Sequence, residues 1–347
     1  MINATARALG SVGPEDAAVF LDRAAAYASK GELDRALVYY SAAIRLAPGD
    51  EEAIRQRARL YMRKKKYASA LEDYGSLIRI NPDVRNYLCR AMAYASTGEN
   101  AKAVADYTEA IRLEPDDPST YSSRVNIYVK TGEWDKAIGD YTQLIRLHPD
   151  DRASYYGRSE AYFKKKDYEH AIADVSSALR VGTGDPEGLE HQRDSTLEQG
   201  IVGGHSTIIP LVDSLVMRGT AYSRIGEYEE AGKDFDKAMS AAETSPLGYN
   251  AAALFYATCP KPEFRNGAKA VDLAMQACKL SAWKNDEIID TLAASEAEAG
   301  NWKEAVDYEK MAMGMAAKRK DTEAAKEYEV RIVMYKAHMA FRQEAEK

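Results

Sequence analysis

The chain has 347 residues, of which 46% are hydrophobic and 29% charged, a composition typical of a folded protein and not of a disordered one. Its formal net charge of −7 disfavours nucleic acid and anionic membranes as partners, because both attract basic surfaces. The three cysteines and five histidines lack the CxxC or HxxxH spacing of a metal site, so we expect no metal, no cofactor and no disulfide framework.

Residues 1–16 form a lead-in without the apolar core of about 7–15 residues that a signal peptide needs. Nowhere do about 18 apolar residues follow one another without interruption, so we expect no membrane span. Few cysteines and no recognisable secretion signal together predict a cytoplasmic protein.

A repeat begins directly after the lead-in. One alanine recurs with a period of about 34 residues, and a tyrosine stands at a fixed place before each of the first six of these alanines. The spacing lengthens to 60 residues after the fifth alanine, where an insertion stands, and to 39 after the sixth. The recurring alanines are Ala36, Ala70, Ala103, Ala137, Ala171, Ala231, Ala270 and Ala305.

Each unit predicts two helices joined by a tight turn. In the first unit, apolar residues fall at helical spacing in two runs, with Gly31 between them to end one helix and start the next. Pro48 then stops the second helix because it lacks an amide hydrogen. We expect the recurring alanine where the two helices cross most closely, since a small side chain is needed there.

This pattern resembles the tetratricopeptide repeat family, whose signature is W-x2-L-G-x2-Y…A-x3-F…P. The resemblance implies an all-α fold, a right-handed α-α superhelix of about eight helix-turn-helix repeats. Five regular repeats would occupy residues 17–185 and three divergent repeats residues 212–316, separated by an insertion or linker at 186–211. Residues 317–347 would form a C-terminal capping helix, amphipathic over Lys318–Lys347, with Tyr328, Ile332, Val333, Tyr335 and Met339 as its apolar residues.

One departure from the family signature is systematic. Its leucine is replaced by arginine in six repeats, and in five of these an aspartate follows at one constant spacing. The two positions lie on the first and second helix of one repeat, so we expect a ladder of ion pairs with a structural role. The five pairs are Arg57–Asp73, Arg90–Asp106, Arg124–Asp140, Arg158–Asp174 and Arg218–Asp234.

The insertion and the last repeats are irregular. Pro186–Glu198 could form a lone helix, and the glycines after it lack the Gly-Lys-Ser/Thr of a phosphate-binding loop. The later repeats look like those of bacterial, notably planctomycete-type, tetratricopeptide proteins, in which N-x-x-A-x-x-x-A-T-C-P and W-K-x-x-x-x-x-D-T-L-A-A recur. The matching residues here are Asn250, Ala253, Ala257–Pro260, Trp283–Lys284 and Asp290–Ala294.

In the family, the first helix of each repeat lines a concave binding surface. The equivalent positions here place three arginines at i, i+4 and i+8 on one helix, beside apolar and small polar residues on the next helices. They would suit an extended peptide with acidic and apolar side chains, although a solvated face partly neutralised by Glu51 explains the arginines as well. The candidate binding residues are Arg55, Arg59, Arg63, Arg85, Leu88, Met92, Ser122, Asn126 and Tyr156.

No catalytic constellation is visible, so we predict that the chain is not an enzyme. The resemblance implies a protein-interaction scaffold or adaptor that binds a peptide or partner protein on the concave surface. The alternative is a regulatory or targeting part of an enzyme system, such as a kinase or transferase, whose catalytic part lies on another chain. A chaperone-tail adaptor is disfavoured, because the residues at the clamp positions, such as Leu21, Ala25 and Gln56, do not match the required lysines and asparagines.

Overall fold

The computed structural model of the protein describes residues 16–183 and 211–343. Within these ranges all regular structure is helical, as the sequence predicts, with 17 α-helices and one 3₁₀ turn. The contacts divide the chain into two compact units, Met1–Leu147 and His148–Lys347. The lone helix considered for Pro186–Glu198 and nearly all of the insertion lie outside the described residues.

The first unit contains eight helices among its described residues. They are α1 (Ala17–Ser29), α2 (Leu33–Leu46), α3 (Glu51–Arg63), α4 (Tyr67–Ile80), α5 (Val84–Thr97), α6 (Asn100–Leu113), α7 (Pro118–Thr131) and α8 (Trp134–Leu147). Each odd-numbered helix packs against the next to form a helical pair, and each pair packs against the following one. Turns of two to four residues join them, so neighbouring helices run antiparallel.

The second unit continues the same pairing in the part of it that the structure describes. Its helices are α9 (Arg152–Lys164), α10 (Tyr168–Thr183), α11 (Leu211–Ile225), α12 (Tyr228–Ala241), α13 (Pro246–Thr258), α14 (Gly267–Leu280), α15 (Asp286–Glu298), α16 (Trp302–Arg319) and α17 (Thr322–Lys336). The 3₁₀ turn Pro262–Phe264 connects α13 to α14. The stacked helix pairs of both units are those of the predicted solenoid fold.

The recurring alanines lie where the two helices of a pair meet. All eight have an exposed fraction of 0%, which confirms the expectation that only a small side chain fits there. A larger residue at this position would separate the helices, since protein interiors are packed at near-crystalline density. The alanines therefore set the distance between the two helices of each repeat.

The turns inside the repeats require left-handed backbone. Gly31 has φ of 78° and ends α1, as predicted. The corresponding residues of the second and fifth repeats are lysines, Lys65 with φ of 55° and Lys166 with φ of 62°. A side chain in this conformation costs roughly 1–2 kcal/mol relative to glycine, so these two turns are held by the packing on either side of them.

The C-terminal helix is shorter than the sequence predicts. It ends at Lys336, and His338 then adopts a φ of 55° that leaves the helical path. Tyr328 and Tyr335 are buried together with Ile332, but Val333 and Met339 are exposed, so the prediction was wrong for these two residues. Val333 lies inside the helix, but one residue after Ile332 and therefore about 100° around the helix from it, off the buried face. Met339 lies beyond the turn at His338, which ends the helical pattern.

The predicted ladder of ion pairs is confirmed for all five pairs. In each, the arginine donates through Nε and Nη2 to both oxygens of the aspartate, at shortest distances of 2.6 or 2.7 Å. The aspartate side chains are only 5–9% exposed and those of the arginines 14–23%. These are therefore partly buried bidentate pairs and not the solvent-exposed ones that contribute only ~0–1 kcal/mol.

The same arginine also contacts the preceding repeat. Nη1 of Arg57 donates to the hydroxyl of Ser41 over 3.1 Å, and Nη1 of Arg124 donates to that of Thr108 over 2.8 Å. In the second unit, Arg218 reaches Ser176 over 3.1 Å. One guanidinium thus joins the two helices of its own repeat and ties that repeat to the one before it.

We expect Asp106→Ala to lower the free energy of unfolding by about 2–4 kcal/mol, because it leaves the partly buried Arg90 without a counter-charge. Combining it with Arg90→Met should cost less than the sum of the two single changes, since the uncompensated charge is then gone. Chemical denaturation measures both effects. Arg112→Ala, which breaks the exposed pair with Glu109, is the control and should change stability by less than about 0.5 kcal/mol. Equal effects of Asp106→Ala and the control would contradict a stabilising role for the ladder.

Candidate peptide-binding surface

The surface of interest lies on the first helices of the second to fourth repeats, α3, α5 and α7. Asp50 and Asp83 cap the N-termini of α3 and α5 by accepting from the amides of Ala53 at 3.0 Å and Asn86 at 2.8 Å. These caps fix where each helix begins. They thereby fix which side chains occupy equivalent places on successive repeats.

The guanidinium group of Arg55 forms ion pairs within the protein. Its side chain is only 14% exposed and pairs with Glu51 at 3.4 Å and Glu52 at 3.3 Å on its own helix. It also lies 3.9 Å from Asp83 at the start of the next repeat. Its charge is therefore largely neutralised. The pairing with Glu51 is the partial neutralisation considered from the sequence.

Arg59 and Arg63 differ from Arg55. Both are exposed, and neither forms an ion pair with any residue in the described part of the chain. Arg85, at the first turn of α5, is likewise exposed and makes no such pair there. These three guanidinium groups are available to an acidic ligand.

The first helices also carry exposed apolar side chains. Met92 on α5 is 55% exposed, and Val129 on α7 is exposed as well. Leu88 is half-buried against the cluster around Ala91 and Tyr107, so it presents part of its surface. Val129 was missed from the sequence, although it lies three residues after Asn126 on the same helix and could have been found by extending the helical spacing by one turn.

The polar candidates on α7 have different roles. The hydroxyl of Ser122 donates to the carbonyl of Pro118 over 3.0 Å, so its hydrogen is used within the helix. Asn126 is exposed, and its amide forms no hydrogen bond with another described residue. Asn126 is therefore the available polar group of this helix.

Tyr156 lies on α9, in the second unit. The side chain of Tyr156 is half-buried. This burial is the main cause that raises the pKa of its phenol, and the nearby charges of Glu160 and Asp213 raise it further. Burial also raises the pKa of the Glu160 carboxyl. The aromatic side chain of Tyr156 is thus a neutral packing surface at physiological pH.

The described residues do not support a reaction that depends on a metal ion or on the thiols of Cys259 and Cys278. No group of three or more histidine, cysteine, aspartate or glutamate side chains among them could hold a metal ion. Burial raises the pKa of the Cys259 thiol, and that of Cys278 to about 11, which opposes formation of a reactive thiolate. Across residues 16–183 and 211–343, none of the helices has the length and apolar character needed to cross a bilayer.

The last repeat contains a buried carboxyl group. Glu309 on α16 has an exposed fraction of 0%, and no donor among the described residues reaches its two oxygens. Asp290, which pairs with Arg331, lies beside it. Burial, followed by the charge of Asp290, raises the pKa of Glu309 to about 10, so the side chain is protonated at neutral pH.

This buried proton predicts how stability depends on pH. Between the ordinary pKa of 4.5 and a value of about 10, the folded state retains a proton that the unfolded state releases. The stability present below pH 4.5 should therefore be lost progressively as the pH rises above 4.5. Glu309→Gln should remove this loss and raise the free energy of unfolding at pH 8 by at least about 1 kcal/mol.

Denaturation curves of the parent and of Glu309→Gln at pH 5 and pH 9 test this expectation. Glu304→Gln, an exposed glutamate on the same helix, is the matched control. Parallel pH profiles for the parent and Glu309→Gln would show that the carboxyl is already ionised in the folded protein.

The chain was compared with known proteins. Family models described as tetratricopeptide repeat match residues 2–51, 55–118, 123–186 and 212–245, more than half of the chain. Among solved structures, the C-terminal part of a repeat-containing protein of this kind from Cytophaga hutchinsonii is 14% identical with a TM-score of 0.55, over 78% of this chain and 99% of that one.

Two smaller proteins are also similar. The MamA protein is 21% identical with a TM-score of 0.46, over 55% of this chain and 99% of its own. YrrB, described as a protein with an unusual peptide-binding site, is 20% identical with a TM-score of 0.42, over 48% of this chain and 87% of its own. At these identities the likeness concerns the fold alone. No curated protein matches the chain.

Proposed function

Because the chain belongs to the tetratricopeptide repeat family, whose members are protein-interaction modules, we propose that it is an interaction scaffold. The first helices α3, α5 and α7 hold an extended peptide or partner segment with acidic and apolar side chains. The observation that supports this proposal most directly is that Arg59 and Arg63 on α3 are exposed without an ion-pair partner among the described residues, while Met92 on α5 is exposed. The alternative role in an enzyme system would use the same surface and stays a prediction.

The spacing of the repeats arranges these residues in a row. Arg59, Met92 and Asn126 each stand at the same place along the chain relative to the recurring alanine of their repeat. They therefore occupy equivalent places on α3, α5 and α7. A peptide in extended conformation that crosses α3 and α5 would place an acidic residue opposite Arg59 and an apolar residue further along, opposite Met92.

Charge alone cannot supply the affinity. Exposed ion pairs contribute about 0.2–1 kcal/mol each, whereas micromolar binding needs about 8 kcal/mol. Burial of apolar surface on Met92, Val129 and Leu88, at about 25 cal/mol per Å², must contribute the larger share. The arginines then select acidic ligands and set the orientation of the peptide.

Selection of peptides from a random library on the purified chain tests the proposal. We expect the selected sequences to combine an acidic and an apolar residue at a constant spacing. Arg59→Glu/Arg63→Glu should weaken their binding, measured by fluorescence anisotropy, by at least about tenfold, and more at low salt.

The matched control is Arg35→Glu/Arg112→Glu. It reverses the same amount of charge at exposed arginines on second helices of the same unit, each paired with a glutamate. If the selected peptides bind the Arg59/Arg63 variant and the control equally well, the binding surface lies elsewhere.

A further inference from the structure

The residues after the last helix lie against the ends of two earlier helices in the second unit. The backbone amide of Gln343 donates to the carbonyl of Thr258 over 3.0 Å. Arg342 donates through Nη1 to the carbonyl of Ala257 over 3.3 Å, and its Nη2 lies 2.5 Å from Glu298. A short non-helical segment is thus held by main-chain and side-chain contacts, as a bound peptide would be.

The surface that holds this segment is a helix C-terminus. Helix α13 ends at Thr258, and Pro260 cannot continue the hydrogen bonding, so the last carbonyls of the helix lack partners within it. Residues outside the helix donate to these carbonyls and to those that follow. The backbone amide of Asn266 donates to the carbonyl of Tyr256, and Arg265 donates to the carbonyls of Cys259 and Pro260 at 3.0 and 3.1 Å. The carbonyls of Ala257 and Thr258 are those left to the C-terminal segment.

This arrangement gives a role to a motif that the binding surface on the first unit does not use. The run Ala257–Pro260, singled out in the sequence, supplies four consecutive carbonyl acceptors at the negative end of the helix. A guanidinium group suits this place, since it offers several donors and a positive charge.

Glu298 completes a receptor for an arginine. It is the last residue of α15, its side chain is only 15% exposed, and it accepts from Nε of Arg265 over 2.9 Å. Arg265 in turn is anchored to the two carbonyls at the end of α13, so the carboxylate is held in place before a second arginine arrives. Arg342 occupies that second position.

An aromatic side chain is bound next to it. Phe341 packs against the cluster that contains Ile332 and Tyr335, and the guanidinium of Arg331 lies 4.4 Å from the centre of its ring. A small cleft beside Gln343 is lined by Tyr228 and Phe255. The surface therefore offers an aromatic site and an arginine site.

We propose that this part of the second unit is a peptide-binding site for an aromatic–arginine pair, and that the segment Phe341–Gln343 occupies it in cis. A partner that presents the same pair in an extended segment displaces the chain's own segment and binds there. The segment is suited to this exchange because it is short, lies outside any helix and is held by a few polar contacts to α13 and α15. The site selects a basic ligand, in contrast to the acidic ligand proposed for the first unit, so either proposal can fail without the other.

The test uses the full chain and a fluorescent peptide with the sequence of residues 337–347. In the variant Phe341→Ala/Arg342→Ala the segment no longer fits its site, so the peptide should bind at least about tenfold more tightly than to the parent. The parent is protected because a tethered segment competes at an effective concentration in the millimolar range. The same peptide with Arg342→Glu should not bind either chain.

A third variant tests where the peptide binds. The variant Phe341→Ala/Arg342→Ala is called the released chain. Adding Glu298→Gln to it should weaken binding of the peptide by at least about tenfold, with circular dichroism confirming that the helices remain. The control is Glu304→Gln, an exposed glutamate on the next helix. The proposal is overturned if the peptide fails to bind the released chain while it remains folded. It is equally overturned if the parent and the released chain bind the peptide alike, or if the Arg342→Glu peptide binds as well as the original.

Discussion

The bidentate pair between an arginine on the first helix and an aspartate on the second helix organises the second to sixth repeats of this protein. Removing two charges from water is costly, and the cost is offset only when the geometry satisfies both groups. Here both carboxylate oxygens accept from one guanidinium, and in three repeats the remaining Nη1 reaches a hydroxyl of the preceding repeat. An aliphatic residue in place of the arginine would pack equally well in several registers, whereas this pair is satisfied in one.

Because the alanines and the arginine–aspartate pairs hold the repeats together, other positions on the first helices can vary. The alanines set the spacing within each helix pair, the arginine–aspartate pairs join its two helices, and Arg57, Arg124 and Arg218 also contact the preceding repeat, so the remaining positions carry little structural demand. In the first unit such positions hold Arg59, Met92 and Asn126, which differ in chemistry although they occupy equivalent places. The repeated positions specify the fold, and the ligand preference proposed above would depend on these variable positions.

The sequence predicted the periodic features well, because each depends on contacts inside one repeat or between equivalent residues. The alanine position, the turn at Gly31 and the pairing of arginine with aspartate all follow from spacing. Features that depend on the register between different elements were not predictable. The neutralisation of Arg55 by Asp83 needs the packing of α3 against the start of the next repeat, and the docking of Arg342 on Ala257 joins two distant parts of the chain. The left-handed turn at His338, which ends the last helix early, involves no glycine that would have predicted it.

The joint between the second and third repeats has its own mechanical character. At this joint the residue facing Arg90 is Gly75, which has no hydroxyl to accept from the guanidinium, whereas the corresponding joints on either side have Ser41 and Thr108. The contact between Arg55 and Asp83, at 3.9 Å, lies across this joint instead, on the helix that also carries Arg59. The polar contact across this joint is therefore made between α3 and the start of α5, and not by the arginine of an arginine–aspartate pair. If α3 and α5 hold an acidic segment as proposed, that segment would lie across the joint, and its binding would restrict how the two repeats bend.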